Sequence, residues 1–419
     1  MSNTGVITRN AIRARGTAGA AVLPRPSVCI ITQNFSFGGM EVHTLALMGA
    51  LLERGYTIEL IANRYYRYDA VVQRNGWGDR VSIVHTDLDG ILYGERSDRT
   101  GWRRTLAALR SRVLIFPKGN YTYGQIGFLR ECRRAFERIV FIEHLEARPR
   151  PIVTRRRFGI PIGLRFWWYK RKVLSRVGAA YADAIVAVSA AVKDRLITDI
   201  GYPARKVKVV RNGVASREYQ FNSRHREAVR RQHAIPAEAF VFGMLTRLTH
   251  EKGLDIALQA LARVDAECPA TPFWLIIAGE GNEADGLETL AASLGIEHRV
   301  KFIGFVSRPD ELLSAYDVIL FSSRREGLPL GLLQGMATGC VPIVTNVSGM
   351  PEAVDSPSVG WVVPPDDPVA IAGAMIEALA LDSDALASKR HIVARRIRDH
   401  FDVGEANRRI VDLCEQHCE

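Results

Sequence analysis

Two successive series of short apolar runs constrain the fold of this 419-residue chain more than any other feature. In the first half the runs are Val28–Thr32, Ile58–Ala62, Val81–His85, Val113–Phe116, Ile139–Ile142 and Ala184–Val188. In the second half they are Phe240–Leu245, Trp274–Ala278, Val300–Ile303, Val318–Phe321, Val341–Thr345 and Trp361–Val363. Short apolar runs that alternate with helical patterns are typical of parallel strands joined by helices. The two series therefore predict two α/β domains, as the length also suggests.

The break between the two series predicts the domain boundaries. Residues 1–25 contain no continuous apolar stretch and are expected to form a flexible tail. The first Rossmann-like domain is expected at 26–205 and the second at 237–384. A connection rich in Arg and His, with an Asn-Gly turn signal, covers 206–236. Residues 385–419 have an amphipathic helical pattern, and in two-domain folds of this kind such a segment can cross back to the first domain.

The formal net charge of +11 predicts an anionic partner, which could be nucleic acid, a membrane surface or a phosphorylated small molecule. Nucleic acid is the least favoured of the three, because no DNA- or RNA-reading motif accompanies the charge. All apolar runs are far shorter than the ~20 residues that span a bilayer, so any membrane contact would be peripheral.

Metal and disulfide chemistry are not expected from the sequence. The six cysteines are scattered through the chain and include no Cys-x-x-Cys pair. This cysteine usage favours a reducing, cytoplasmic environment.

Glycine-rich and charged segments follow the predicted strands, where ligands of doubly wound sheets bind. Gly38 and Gly39 follow the first run and open a helical pattern. Arg247 and Lys252 follow the first run of the second half, and two cations five residues apart suit a diphosphate. Taken alone, the glycines could form an ordinary tight turn and the cations a solvated loop.

Further segments follow the later runs of the second half, and these strengthen the interpretation. They are Gly279-Glu-Gly281, Gly304-Phe-Val306, Glu326-Gly327-Leu328-Pro329-Leu330 and Gly349-Met-Pro351-Glu352. As an ordered set with Gly38-Gly39 and Arg247-x4-Lys252, they resemble the motifs of retaining glycosyltransferases of family 4, which have the GT-B fold. The resemblance covers most of the chain and is densest from about residue 241 to 365.

The resemblance implies an α/β GT-B architecture, with two Rossmann-like domains facing a central cleft and a nucleotide sugar held mainly by the second. Arg247 and Lys252 would bind the donor diphosphate, and Gly304 to Val306 would border the nucleobase. Glu326 would contact the donor-sugar hydroxyls. The remaining donor-binding positions would be Gly38, Gly39, Gly279, Gly327, Leu328, Pro329 and Leu330.

Two positions depart from the family pattern. Gln334 replaces the second carboxylate of a Glu-x7-Glu motif, which usually holds the ribose hydroxyls in this family. Glutamine keeps a carbonyl acceptor, loses the negative charge and gains an NH2 donor. Thr246 replaces the glycine that usually precedes Arg247. Gln334 is still predicted to bind the donor, with altered strength.

His144 follows the run Ile139–Ile142 and is predicted to project into the cleft. Related enzymes carry a histidine near the donor sugar, so His144 and Glu326 are the predicted catalytic residues. The alternative is a structural histidine whose hydrogen bonds are satisfied within the fold.

Residues Arg148 to Arg176 combine ten basic residues and no acidic one with the aromatic stretch Phe166-Trp167-Trp168-Tyr169. Basic and aromatic residues interleaved in this way suit an anionic lipid interface. The segment is therefore hypothesised to dock on a membrane near the acceptor site. A solvated basic face over core aromatics and a pocket for a phosphorylated acceptor are the alternatives.

The sequence as a whole predicts a retaining hexosyltransferase that uses a UDP- or GDP-linked sugar, requires no metal, and acts on a glycan or lipid-linked acceptor in cell-envelope or polysaccharide biosynthesis. It would work in the cytoplasm or on the inner face of the cytoplasmic membrane. A nucleotide-sugar epimerase or hydrolase is one alternative. A donor-binding subunit without catalysis is another, motivated by Thr246 and Gln334.

Overall fold

A computed structural model of the protein describes residues 26–32, 38–63, 68–86, 99–118, 126–144 and 173–416. The first sheet formed by these residues is parallel, with the strand order β3-β2-β1-β4-β5-β6-β7. Its strands are β1 (Ser27–Thr32), β2 (Thr57–Asn63), β3 (Val81–Thr86), β4 (Val113–Lys118), β5 (Arg138–Glu143), β6 (Ala184–Ala187) and β7 (Val207–Val209). The central strands are buried on both faces, which is why they are continuous apolar runs.

Helices cover both faces of this sheet. They are α1 (Gly39–Glu53), α2 (Tyr68–Arg74), α3 (Arg99–Ala107), α4 (Ile126–Ala135) and α5 (Ala190–Arg195). Residues 173–180 are also helical. The Ser189 hydroxyl caps α5 by accepting a hydrogen bond from the Val192 amide at 3.1 Å.

The second sheet is also parallel, with the order β10-β9-β8-β11-β12-β13. Its strands are β8 (Phe240–Leu245), β9 (Phe273–Ala278), β10 (Val300–Gly304), β11 (Val318–Phe321), β12 (Val341–Thr345) and β13 (Trp361–Val363). Its helices are α6 (Ser223–Gln232), α7 (Leu254–Glu267), α8 (Ala284–Ser293), α9 (Pro309–Leu313), α10 (Leu330–Thr338), α11 (Met350–Ala353) and α12 (Pro368–Leu379). Two apolar clusters fill its two faces. The two predicted α/β domains are thus confirmed.

The connection between the sheets is more structured than its sequence suggested. The first sheet continues to Val209, beyond residue 205, because the three-residue strand β7 pairs with β6. Helix α6 then packs on the second domain, where Arg226 and Arg230 form ion pairs of 2.8 and 2.9 Å with Asp317. The dense basic run therefore serves in part to neutralise a buried carboxylate.

The last segment forms two helices, α13 (Ser383–His400) and α14 (Val403–Glu415). Between them, the Phe401 carbonyl accepts a hydrogen bond from the Val214 amide at 2.9 Å. Helix α14 lies against the first domain, and its residues Ile410 and Val411 are buried in that domain's core. The chain thus passes from the second domain back to the first.

Each sheet has one place where the chain order reverses, between β1 and β4 in the first and between β8 and β11 in the second. Ligands of open parallel sheets bind outside the carboxyl ends of the strands at such points. In this molecule the carboxyl ends of the two sheets face each other, and the candidate site lies between them.

Candidate functional site

The strand order of the second sheet brings together two loops that are distant in sequence. Arg247 and Lys252 follow β8, and Glu326 follows β11, the strand that pairs with β8. Parallel neighbours end at the same edge of a sheet, so these loops meet at the switch point. The site is assembled by the sheet, and no single segment of the sequence contains it.

Lys252 and Glu326 form a short ion pair in the site. Lys252 Nζ lies 2.6 Å from Glu326 Oε1, and the Ser323 hydroxyl donates to the same oxygen at 3.0 Å. The two charged side chains are only 11% and 4% exposed. A charge-assisted hydrogen bond that is shielded from water holds both groups in one geometry.

A glycine makes this geometry possible. Gly253 adopts a left-handed conformation with φ of 63°, and a Cβ atom on it would lie 2.1 Å from the Ser322 carbonyl oxygen. The loop after β8 can therefore approach the loop after β11 only with glycine at this position. The Ser322 hydroxyl ties the loops together by donating to the Gly253 carbonyl at 2.7 Å.

Arg247 is exposed at the end of β8, and its charge acts on Glu41 of the first domain. Burial raises the pKa of the Glu41 carboxyl to about 7, against the opposing effects of nearby backbone amides and of Arg247. Glu41 was not predicted as a site residue, although it lies two residues after Gly39. Its proximity to Arg247 arises only when the domains face each other.

At the start of α1, Gly39 lies close to the second domain. Gly38 is the residue before the first turn of α1, and a Cβ atom on Gly39 would lie 4.0 Å from Leu330 Cβ. Because helix amides point toward the cleft at this end, the start of α1 is suited to an anionic or hydroxyl-bearing ligand.

His144 lies at the end of β5 and is paired with a histidine that was not predicted. Its ring makes an edge contact with the His43 ring at a centroid distance of 4.7 Å. Burial lowers the pKa of His43 to about 4 and lowers that of His144 well below the ordinary value, so both imidazoles are neutral at pH 7. Among the described residues, His144 Nε2 has no hydrogen-bond partner.

The loop from Glu326 to Leu330 passes directly beside His144. A Cβ atom on Gly327 would lie 2.0 Å from the His144 carbonyl oxygen, so only glycine fits there. The loop is held by two hydrogen bonds: Gly349 N donates to the Gly327 carbonyl at 2.7 Å, and Asn212 Nδ2 donates to the Leu328 carbonyl at 2.7 Å. Pro329 precedes α10, which begins at Leu330.

The ends of β9 and β10 form the side of the site. The Gly279 amide donates to the Gly304 carbonyl at 2.8 Å, and both glycines have positive φ, of 141° and 69°. A Cβ atom on Gly279 would lie 1.8 Å from the Thr246 carbonyl oxygen. The half-buried Val306 follows, after the exposed Phe305.

Gln334 lies in α10, one helical turn after Leu330. Its side chain is buried, and Nε2 donates to the Tyr219 hydroxyl at 2.9 Å. Tyr219 lies 115 residues earlier in the chain. No local sequence signal indicated this partner.

A carboxylate of the second domain reaches the first domain beside the site. Glu352 accepts hydrogen bonds from the Ala191 amide at 3.0 Å and from Arg211 Nε at 2.8 Å. It thereby binds the N-terminal turn of α5. Glu352 was noted in the sequence only as part of the Gly-x-Pro-Glu motif, and its interdomain role was not predicted.

Most of the basic segment, residues 148–172, lies outside the described residues. At its end, Val173, Arg176 and Val177 are exposed on the helical stretch 173–180. None of the described helices is both long and apolar enough to span a bilayer. Within the described ranges, no group of three or more His, Cys, Asp or Glu side chains could hold a metal ion.

Two facing Rossmann-like domains, with the site at the carboxyl ends of both sheets, define the GT-B class of proteins. Residues 225–399 match the family described as "Glycosyl transferases group 1", and residues 37–218 match "Glycosyltransferase Family 4". The chain therefore belongs to the group 1 glycosyltransferases. This confirms the family expected from the motifs.

Relatives and solved structures agree with this assignment. The chain is 29% identical over 260 residues to the "Putative colanic acid biosynthesis glycosyltransferase WcaL" of Salmonella typhimurium, covering 58% of this chain and 61% of that protein. It is 30% identical over 224 residues to "Glycogen synthase" of Mycobacterium tuberculosis, covering 53% and 51%. The matched segments thus span about half of the length of these relatives.

The fold resembles that of Anabaena HepE, whose crystal structure was determined in complex with UDP. The TM-score is 0.72 at 19% sequence identity, over 92% of this chain and 98% of that chain. This likeness confirms the GT-B architecture.

Proposed function

We propose that this protein is a retaining hexosyltransferase that moves a sugar from a UDP- or GDP-linked donor to a glycan or lipid-linked acceptor in cell-envelope polysaccharide assembly. The observation that carries the proposal is the contact of Lys252 with Glu326 at the switch point, beside Arg247. A nucleotide sugar requires cations for its diphosphate next to an acceptor for its sugar hydroxyls. These three residues supply both.

The two cations would act on the leaving group. Negative charge grows on the diphosphate as its bond to the anomeric carbon breaks, and fixed cations stabilise that charge. Arg247 would grip the oxygens with its planar fork, and Lys252 would act as a point charge. With two fixed cations in these positions, the reaction is proposed to need no divalent metal.

Donor binding would also change the partner of Glu326. A phosphate oxygen that accepts a hydrogen bond from Lys252 competes with the Glu326 carboxylate, which is then free to accept from a sugar hydroxyl. Ser323 still donates to Glu326 Oε1 and keeps the carboxylate oriented. The ion pair would thus pre-position both groups before the donor arrives.

His144 would orient a hydroxyl of the donor or of the acceptor. Its imidazole is neutral because burial lowers its pKa, so the ring offers one donor and one acceptor nitrogen. The Nε2 atom has no partner among the described residues. Buried polar atoms are rarely left without a hydrogen bond, and a substrate hydroxyl would supply one.

The names of relatives support the proposed substrate classes. WcaL is described as a colanic acid biosynthesis glycosyltransferase, which supports a polysaccharide acceptor. HepE binds UDP, which supports a nucleoside diphosphate donor.

The donor site is tested by a thermal-shift panel of nucleoside diphosphates in EDTA. A ligand that binds only the folded state stabilises it by about 2.7 kcal/mol at 100 times its dissociation constant. We expect one nucleoside diphosphate, UDP or GDP, to raise the melting temperature. The shift should be lost in Arg247→Ala and in Lys252→Ala.

The control for this panel is Arg408→Ala, which removes an exposed arginine from α14, away from the site. It should keep the full shift. If no nucleoside diphosphate stabilises the wild-type protein, or if both site variants respond like wild type, the proposed donor site is wrong.

We also propose that the protein docks on an anionic membrane through the basic segment. The exposed Val173 and Val177 lie one helical turn apart beside Arg176, so the described end of the segment offers apolar and cationic groups on one surface.

Vesicles containing anionic lipid should co-sediment the protein more than neutral vesicles, and Val173→Ser with Val177→Ser should weaken the binding. The control Val369→Ser changes an exposed valine of α12 and should bind like wild type. Equal binding to both vesicle types would contradict docking.

A further inference from the structure

Tyr219 and Gln334 form an isolated polar pair between the interdomain connection and α10. Gln334 is 6% exposed and Tyr219 is half-buried. The 2.9 Å hydrogen bond from Gln334 Nε2 to the phenol oxygen is the one hydrogen bond of this amide among the described residues. A buried amide held by a single tyrosine retains unused hydrogen-bonding capacity.

Tyr219 belongs to an apolar cluster that also includes side chains from the end of β10 and from the loop after it. Tyr219 packs against the same apolar cluster as Val306 and Ile303. Burial raises the pKa of the Tyr219 phenol to about 12, with smaller contributions from the charges of Glu218 and of Asp310. The phenol is therefore protonated throughout the physiological range. The effect of Asp310 on its pKa places Tyr219 near the start of α9, the helix that begins three residues after the segment proposed to border the nucleobase.

We propose that Tyr219 is a positioning residue of the donor site. By accepting a hydrogen bond from the amide nitrogen of Gln334, it fixes the amide orientation and leaves Oε1 as the acceptor for a ribose hydroxyl of the donor nucleotide. This inference rests on the proposed function. It explains how a neutral glutamine can bind a ribose hydroxyl through its amide oxygen. A carboxylate at the same position would need no orienting partner.

An amide group, unlike a carboxylate, is asymmetric. A carboxylate presents an acceptor oxygen whichever way it is turned, whereas a turned amide presents NH2 where the acceptor oxygen was. The Tyr219 hydroxyl can accept from Nε2 and still donate its own hydrogen elsewhere. The pair therefore offers one oriented, uncharged acceptor, Gln334 Oε1, which suits a ribose hydroxyl.

The experiment measures dissociation constants for the nucleoside diphosphate that wild type binds best and for its 2′,3′-dideoxy analogue. The ratio of the two constants reports how well the protein reads the ribose. We expect wild type to prefer the ribonucleotide by about tenfold or more, since each 1.4 kcal/mol of hydrogen bonding is a factor of ten. Tyr219→Phe should reduce this preference about three- to tenfold by weakening mainly the ribonucleotide.

A second pair of variants distinguishes a positioning role of the Tyr219 hydroxyl from a purely structural hydrogen bond. In Gln334→Glu the side chain has no amide to misorient, so the ribose preference should stay in the wild-type range. Adding Tyr219→Phe to that variant should then leave the preference unchanged. If the hydrogen bond is purely structural, loss of the phenol hydroxyl should weaken the binding of both nucleotides equally in either background. Tyr56→Phe removes a tyrosine hydroxyl bonded to Glu415 at 3.1 Å in the first domain and is the matched control.

The outcomes distinguish this inference from the function on which it rests. If wild type binds no nucleoside diphosphate, the proposed function fails. If wild type binds one but does not distinguish it from the dideoxy analogue, or if Tyr219→Phe keeps the full preference, the proposed function stands and the role of Tyr219 is wrong. A reduced preference in Tyr219→Phe that is absent in the Gln334→Glu background supports the inference.

Discussion

At the scale of single residues, the candidate site combines groups that the sequence identified with groups that it did not. Arg247, Lys252 and Glu326 were identified because each follows an apolar run inside a short motif. His43 and Tyr219 were missed because their partners, His144 and Gln334, lie about 100 residues away in the chain. A pairing of this kind leaves no pattern in either local segment.

The buried histidine pair predicts an acid-sensitive component of stability. The pKa of His43 is about 4 in the folded protein and 6.5 ordinarily, so the unfolded chain binds the proton first as the pH falls. Above pH 6.5 the neutral His43 side chain therefore makes its full contribution to the free energy of unfolding. This contribution is lost as the pH falls from 6.5 toward 4. Glu41 has the opposite effect on stability, because its pKa is raised from 4.5 to about 7 in the folded protein. The folded protein therefore binds this proton before the unfolded chain does, which increases stability as the pH falls from 7 toward 4.5.

We expect His43→Gln to reduce the loss of unfolding free energy between pH 7 and pH 5 by about 1–2 kcal/mol relative to wild type. Urea unfolding at the two pH values measures the difference. His391→Gln, at an exposed position of α13, should show the same pH dependence as wild type. An unchanged pH dependence in His43→Gln would show that His43 is not buried as a neutral ring.

At the scale of elements, the twelve predicted strands are present, and the discrepancies are one very short strand and one helix in a charged segment. Strand β7 has three residues, Val207–Val209, which is too short for a periodic pattern. Helix α6 was hidden in a charged segment because its arginines bind Asp317 of the second domain. Its sequence therefore resembles a solvated linker while its structure is that of a packed helix.

A substitution at Gly279 tests whether the loops after β9 and β8 must approach each other closely, because Gly279 lies where they meet. We expect Gly279→Ala to destabilise the protein by at least about 2 kcal/mol, since a side chain would be both strained and in collision with the Thr246 carbonyl. The matched change is Gly286→Ala on α8, where a Cβ atom meets nothing within 4 Å. It should be neutral or stabilising by up to about 1 kcal/mol.

Urea unfolding followed by circular dichroism measures both glycine variants. Equal stability of Gly279→Ala and Gly286→Ala would show that the close approach of these two loops is not required for folding.

At the scale of the whole molecule, α14 joins the end of the chain to the first domain. Arg54 forms ion pairs with Asp412 and Glu415 at 3.1 and 3.2 Å, but these groups are largely exposed and contribute little. The buried side chains of Ile410 and Val411 supply most of the attachment. The second domain is thus attached to the first at the interdomain connection and again by the last helix.

We expect Ile410→Ala to lower the unfolding free energy by about 2–5 kcal/mol, the usual cost of a cavity at a fully buried aliphatic position. Val369→Ala, at a valine that is 58% exposed, should change it by less than about 0.5 kcal/mol. Chemical denaturation of both variants makes the comparison. A loss as small as that of Val369→Ala would mean that α14 is not packed on the first domain.

The sequence by itself determined the two parallel sheets, the family and the segments that contain Arg247, Lys252 and Glu326. It could do so because buried parallel strands are continuous apolar runs, and because ligand-binding loops follow such strands directly. Only the tertiary structure decided that Lys252 contacts Glu326, that Gly327 lies against His144, and that Glu352 binds the start of α5. These contacts depend on strand order and on how the two domains face each other, and neither is encoded in the spacing of residues along one segment.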